Sequence, residues 1–412
     1  MHIVLIANGL ANRGEHSYRL IQEVRSALAR RGIGVSAFAS KSLDPAIMEE
    51  GVAVPHFKHS LYDSVGPLLP NQWVQSLQKL WSGAEGVLNY PAEFLTWRVL
   101  NRSFQHDLEA LPPELCTPDD LLVITAANQN QIDGVVEFMR GRPQESLPKV
   151  ICQLMFPPTW TVWARTARHG EAYYRQAFQK ASRFIGKKLF FTTENAGIAK
   201  IYRERFGLET TTLPIPFALM QQPRQAGKTI RLGFFGYSKS AKGFHLLPET
   251  AAICKNDGLD VEFLIQIQHS GWEQSTNDAE RKLRTLPNVR LIEGVLNSED
   301  YIRQTNTVDV VLLPYDPVLF GMGGSGIFTE SVAAGRPIVA SEGTFAAECI
   351  AKGEAQGEVF APYTASEFAA AISRLLPRMP ECRTRAAACA EAFARRHSGE
   401  AYVDALLGHV DK

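Results

Sequence analysis

Two stretches of this sequence combine residue types that can hold and discharge a phosphorylated ligand. The first, Gly323-Gly324-Ser325-Gly326-Ile327-Phe328-Thr329-Glu330, follows an apolar run from Val308 to Leu313 through a turn that also contains Gly321. Glycines at such a place let backbone N–H groups close on an oxyanion with no Cβ in the way, where a helix through Glu330 presents its positive end. Ser325 can add a hydroxyl donor, and Glu330, one turn into that helix, can accept hydrogen bonds from the two hydroxyls of a ribose. The second stretch, Gly236-Tyr237-Ser238-Lys239-Ser240-Ala241-Lys242-Gly243-Phe244, leaves an apolar run from Ile230 to Phe235 and sets two lysines in a strand-to-helix loop. Lys242 can place its ammonium against a departing phosphate and offset the charge that grows as the bond to it breaks. The same residues also fit a plainer account, a tight connection with a solvated glutamate and two solvated lysines.

The elements that must position these residues are readable from period and punctuation. His2 to Ala7 reads as a strand; a helix with Leu20, Val24 and Leu28 at four-residue spacing follows, ended by Gly32 before a strand at Val35 to Ala39. Further strands are expected at Leu121 to Thr125, Val150 to Met155 and Leu189 to Thr192, with a helix from Ala196 to Phe206 closed by Gly207. The segment from Gly51 to Pro113, rich in Trp, Leu and Pro, yields no clear elements. After the polar, proline-punctuated stretch Gln221 to Lys228, strands at Ile230 to Phe235, Val261 to Ile267, Val289 to Ile292, Val308 to Leu313 and Ile338 to Ala340 alternate with helices near Phe244 to Asn256, Ser298 to Asn306, Phe328 to Ala334 and Glu367 to Leu375. Regular alternation implies parallel sheets covered on both faces, with ligands at the carboxyl ends of the strands. The expected architecture is α/β, two Rossmann-like domains facing a cleft: residues 1–222, residues 223–392, and a terminal helical segment 393–412 crossing back to the first domain.

Composition bounds the partners. The chain has 412 residues, enough for two cores, and 43 basic residues balance 43 acidic ones, so no global field favours nucleic acid or an anionic membrane. Any phosphate binding must be local. Cys116, Cys152, Cys254, Cys349, Cys382 and Cys389 are scattered, without zinc spacing or a CxxC pair, which points to a reducing, cytoplasmic setting and away from a metal. The N-terminus lacks a basic leader and a cleavage site, and no apolar stretch has the length to span a bilayer.

Gly-Tyr-Ser-Lys-Ser-Ala-Lys-Gly at 236–243 and Gly-Ser-Gly-Ile-Phe-Thr-Glu-Ser-Val-Ala-Ala-Gly-Arg-Pro-Ile-Val-Ala-Ser at 324–341 together resemble the nucleotide-sugar half of the retaining glycosyltransferases of group 1, also called family 4, which have the GT-B fold. The resemblance runs through most of residues 230 to 375, including Asn288 to Val295 and Thr307 to Pro314, and is weaker in the first half, at Phe191 to Asn195 and Leu213 to Phe217. It implies that Glu330 meets the nucleotide ribose, that the backbone at Gly324, Ser325, Gly326 and Ile327 lies near the diphosphate, and that Lys242, with Gly236, Tyr237 and Lys239 in its loop, serves the same phosphates. Lys242 and Glu330 are then the residues on which activity depends. Two departures stand out: Met322 replaces a second glutamate that the family often carries eight residues before the ribose-binding one, and Tyr237 replaces a common arginine.

On the acceptor side, Gly9, Arg13, Gly14 and His16 of the first loop are the expected contacts, His16 reading equally as a solvated helix-start residue. The strand Val150 to Met155 ends at Phe156-Pro157-Pro158-Thr159, where similar enzymes tend to carry a histidine and this chain has none; Gln153 is the expected substitute. Trp160 to His169 could meet a lipid phosphate or pack as an amphipathic helix. The resemblance implies a retaining, metal-independent hexosyltransferase without a bound cofactor. It would move sugar from a nucleoside diphosphate donor to a glycan or lipid-linked glycan, in the cytoplasm or at the inner membrane face. A GT-B nucleotide-sugar epimerase, or a non-catalytic nucleotide-sugar or glycan-binding protein, are the alternatives that Met322 and Tyr237 leave open.

Overall fold

The computed structural model describes residues 1–13, 16–61, 63, 90–158, 170–216, 229–269, 273–318 and 320–409. The chain forms two compact units, Met1–Leu213 with Tyr402–Lys412, and Pro214–Ala401.

The first unit holds a seven-stranded sheet in the order β3-β2-β1-β4-β5-β6-β7. Its strands are β1 (His2–Ala7), β2 (Gly34–Ser40), β3 (Val54–Phe57), β4 (Leu121–Ala127), β5 (Lys149–Leu154), β6 (Leu189–Thr193) and β7 (Thr211–Thr212). Every pairing between them is parallel. Parallel strands are covered on both faces and so read as near-continuous apolar runs. Leu121-Leu122-Val123-Ile124-Thr125-Ala126-Ala127, buried throughout, is the clearest case. The helix His16–Arg30 lays Leu20, Ile21, Val24, Ala27 and Leu28 against this sheet, and Tyr402, Val403 and Leu406 of the last helix (Gly399–Leu407) join the same core. Tyr402 donates its hydroxyl to Gln153 Oε1 at 2.8 Å, both side chains being fully buried.

The second unit holds a six-stranded sheet in the order β10-β9-β8-β11-β12-β13, again parallel at every pairing. These strands are β8 (Ile230–Phe234), β9 (Val261–Ile267), β10 (Val289–Glu293), β11 (Val310–Leu313), β12 (Ile338–Ser341) and β13 (Gly357–Phe360). The β13 edge strand and the helix Phe345–Ala351 have no counterpart in the sequence reading, because a four-residue strand opening on glycine and only half-buried carries no usable period. The helix expected from Phe328 begins two residues earlier, at Gly326, with Ser325 as its N-cap. Lys242 closes a short 3-10 turn, Ser240–Lys242, that precedes a second turn at Phe244–Leu246 and the helix Leu247–Asn256.

Among the described residues no helix is long and apolar enough to cross a membrane. The segments Gln221 to Lys228 and Trp160 to His169, and Gly14 of the first loop, lie outside the described residues.

Candidate functional site

In an open parallel sheet, ligands settle where neighbouring strands send their connections to opposite sides. In the second unit that point lies between β8 and β11, which are hydrogen-bonded neighbours although far apart in sequence. The loops leaving their carboxyl ends are the two stretches singled out in the sequence.

The loop after β8 is fixed at three places. Gly236, at φ +88°, donates its N–H to Gln266 Oε1 at 2.9 Å, and the Gln266 amide in turn donates to Gly294 O at 2.9 Å. Ser240 N–H bonds Glu273 Oε2 at 2.9 Å. Gly243, at φ +73°, packs so closely on the end of β11 that a Cβ there would sit 1.8 Å from the Pro314 carbonyl oxygen, and Asp316 N–H bonds Ala241 O at 2.9 Å beside it. Only glycine tolerates both that dihedral and that contact.

This closure carries Lys242 inward. Its Nζ lies 3.1 Å from the point a Cβ would occupy on Gly236, and Ile327 Cδ1 lies 3.0 Å from the same point. The ammonium is also 5.7 Å from the centroid of the Tyr315 ring, within reach of a cation–π attraction. Lys242 is half-buried, and burial, helped by the charge of Lys239, pushes its pKa down to about 8. Lys239, whose own pKa burial lowers, holds its Nζ 5.2 Å from the Tyr237 ring centroid. Gly236, Tyr237, Lys239, Lys242 and the first turn of the helix Gly326–Ala333 therefore share one locality.

Ser325 caps that helix by accepting the Phe328 N–H at 3.2 Å, and the Tyr315 hydroxyl lies 3.1 Å from Ser325 Oγ. The amides of Gly326 and Ile327, in the first turn, have no intrahelical acceptor and are the donors such a terminus offers an anion. Glu330 is 4% exposed, and its Oε2 accepts the hydroxyl of Tyr301 at 2.6 Å. Arg336, 1% exposed, donates to Asn306 Oδ1 at 2.7 Å. Its Nε and Nη1 have no hydrogen-bond partner among the described residues. Burial pushes the Arg336 pKa down to about 10, and Tyr301, Asp309 and Glu330 draw it the other way. Sequence reasoning missed Tyr301, Tyr315, Gln266 and Arg336. For Tyr301 the one available signal was its being the sole aromatic residue of the helix Ser298–Thr305.

In the first unit, Gly9 lies in the turn after β1, closed by Leu10 N–H to Ala7 O at 2.8 Å. Arg13 pairs with Glu50, whose other oxygen accepts the Tyr18 hydroxyl at 2.6 Å. His16 opens the helix His16–Arg30. Gln153 is on β5, with its carbonyl taken by Tyr402 and its Nε2 without a partner among the described residues.

Among the described residues no group of three His, Cys, Asp or Glu side chains is placed to hold a metal ion.

Residues 229–378, within the second unit, match the family model described as Glycosyl transferases group 1. A search of curated protein sequences returned no match. Among solved structures, the chain is similar along its whole length to the apo lipopolysaccharide outer core galactosyltransferase WaaB (13% identity, 99% of each chain, TM-score 0.63). It is similar to sucrose-phosphate synthase from Thermosynechococcus elongatus (15% identity, 100% of this chain and 98% of that one, TM-score 0.64). It is also similar to Anabaena HepE in complex with UDP-glucose (13% identity, 100% and 99%, TM-score 0.64). Two parallel-sheet α/β domains with these neighbours make the fold GT-B.

Proposed function

We propose that the chain is a retaining glycosyltransferase that transfers a hexose from a nucleoside diphosphate sugar to a hydroxyl of a glycan or lipid-linked glycan. The observation that carries this reading is the convergence of Lys242, Gly236 and Ile327, which sets an ammonium beside the entrance of the helix bearing Glu330. A diphosphate there would take hydrogen bonds from the Gly326 and Ile327 amides and neutralisation from Lys242, while Glu330 meets the ribose. As the glycosidic bond breaks, negative charge collects on the departing diphosphate, and a cation already in place lowers that barrier with no reorganisation. The departing phosphate can accept the proton of the incoming hydroxyl on the same face, so the scheme needs position and positive charge in place of a carboxylate pair. Lys242 supplies that charge without a metal ion. The group 1 domain and the UDP-glucose complex of HepE support a nucleotide-sugar donor.

The test begins with a thermal-shift screen of uridine, guanosine and adenosine diphosphates and their sugars. It continues with an acceptor panel in the presence and absence of chelator, and ends with the anomeric configuration of the product by NMR. Donor binding with no product from any acceptor would favour the binding-protein alternative that Met322 and Tyr237 suggest. Epimerised or hydrolysed donor without acceptor would favour the epimerase. No response to any nucleotide would overturn the proposal.

A further inference from the structure

Glu330 does not stand by itself in this site. Tyr301 reaches it from the helix Ser298–Thr305, and the phenol–carboxylate hydrogen bond of 2.6 Å is of the short, charge-assisted kind. The Tyr301 ring is itself held edge-on against Phe235, with centroids 5.9 Å apart and planes at 75°, and Phe235 is 2% exposed at the end of β8. The ring is therefore not free to swing, and the hydroxyl fixes one oxygen of Glu330. A carboxylate has about four acceptor positions, so one phenol donor sets the orientation of the group and leaves capacity for ligand hydroxyls. Arg336 is buried, bound to Asn306 and otherwise without a hydrogen-bond partner among the described residues. A buried guanidinium is favoured by carboxylate charge in its surroundings, and Glu330 contributes to the charge that raises the Arg336 pKa against its burial.

We infer that Tyr301 is a positioning residue for Glu330, and that the pair, not the glutamate alone, sets the preference of this site for a ribose with free hydroxyls over a ring that lacks them. The inference rests on the ribose role given to Glu330 above. Tyr301 acts through that carboxylate and touches no reacting atom.

The discriminating measurement is a ratio. The diphosphate that binds tightest among uridine, guanosine and adenosine diphosphates is compared by calorimetry with its 2′,3′-dideoxy form, on the wild-type chain, Tyr301→Phe, Glu330→Gln and the double variant. Phenylalanine keeps the packing on Phe235, and thermal melts verify folding. The wild type should prefer the ribo form by about tenfold or more, from hydrogen bonds to a charged group. Tyr301→Phe should cut that preference about fivefold, at most to parity, while the dideoxy affinity moves less than about twofold. Added to Glu330→Gln, Tyr301→Phe should change the ratio no further, since its action runs through the carboxylate. If Tyr301→Phe keeps the wild-type ratio, or weakens both ligands equally, the positioning role is refuted while the role of Glu330 stands. If Glu330→Gln itself leaves the ratio unchanged, the ribose role of Glu330 fails and takes this inference with it.

Discussion

Replacing Lys242 by methionine should make the protein more stable and a far poorer binder of diphosphate. The side chain keeps its aliphatic contacts in this substitution and loses its charge. The ammonium is held where burial lowers its pKa from the ordinary 10.5 to about 8, a displacement equivalent to roughly 3 kcal/mol at full burial. Because the residue as a whole is only half-buried, solvent reduces the expected cost to about 1–2 kcal/mol. Between about pH 8 and 10.5 the unfolded chain holds this proton and the folded chain does not, so wild-type stability rises with pH across that window. Below about pH 8 both states are protonated and the cost is carried in full, which is where the methionine variant gains its stability. Ligand binding runs in the opposite sense. A diphosphate requires the ammonium, so wild-type affinity should be level from pH 7 to about 8 and then fall, approaching tenfold per pH unit, as the free protein loses its proton. Lys242→Met should bind about a hundredfold more weakly and show no such fall. Differential scanning fluorimetry and calorimetry between pH 7 and 9.5, on both proteins, read all of these quantities. A variant that melts lower at pH 7 and keeps wild-type affinity and pH profile would refute the reasoning.

Three further outcomes follow from the geometry. Gly243→Ala would place a Cβ 1.8 Å from the Pro314 carbonyl oxygen at φ +73°; it should cost more than about 2 kcal/mol in urea melts and abolish diphosphate binding by driving Lys242 out. His397 accepts the Ile215 N–H on Nδ1, and burial, with the Arg396 charge, pushes its pKa down to about 4; the unfolded state takes up the proton first, so stability should fall as pH drops from about 6.5 towards 4. His397→Gln, which keeps an acceptor for Ile215, should flatten that part of the curve. Tyr402→Phe should cost about 1–2 kcal/mol by leaving Gln153 Oε1 without its donor, and Gln153→Leu in the same chain should recover part of the loss, as read by urea midpoints.

What could be read in the sequence tracks how each element is buried. Strands with both faces covered announce themselves: Val310-Val311-Leu312-Leu313 and Leu121 to Ala127 are buried at every residue, and the apolar runs Val308 to Leu313 and Leu121 to Thr125 pointed to them. The edge strand β13, with three of its four residues half-exposed, left no such trace. Helix ends were legible where a glycine adopts the left-handed conformation, as at Gly207 with φ +64°. The start at Gly326 was misjudged by two residues, because Gly326 and Ile327 read as turn while the Ser325 cap makes them helix.

The site divides along a different line, between residues marked by local sequence and residues delivered by strand order. Lys242 stands in the glycine-punctuated loop after β8, and Glu330 in the helix that the glycine-punctuated loop after β11 leads into, so their place at the carboxyl ends follows from local pattern. Tyr301 is separated from Glu330 by β11 and 29 positions, and its being the sole aromatic residue of its helix does not point to Glu330. Its arrival depends on the order β10-β9-β8-β11. The connection from the edge strand β10 to β11 must pass over β9 and β8, and the helix Ser298–Thr305 makes that crossing, which sets Tyr301 against Phe235 at the end of β8 and its hydroxyl on Glu330. A different strand order with the same elements would send this helix elsewhere and leave Glu330 without its phenol. The local residues of the site are thus fixed by chemistry written beside them, while the residue that orients the carboxylate is fixed by topology, which no window of the sequence contains.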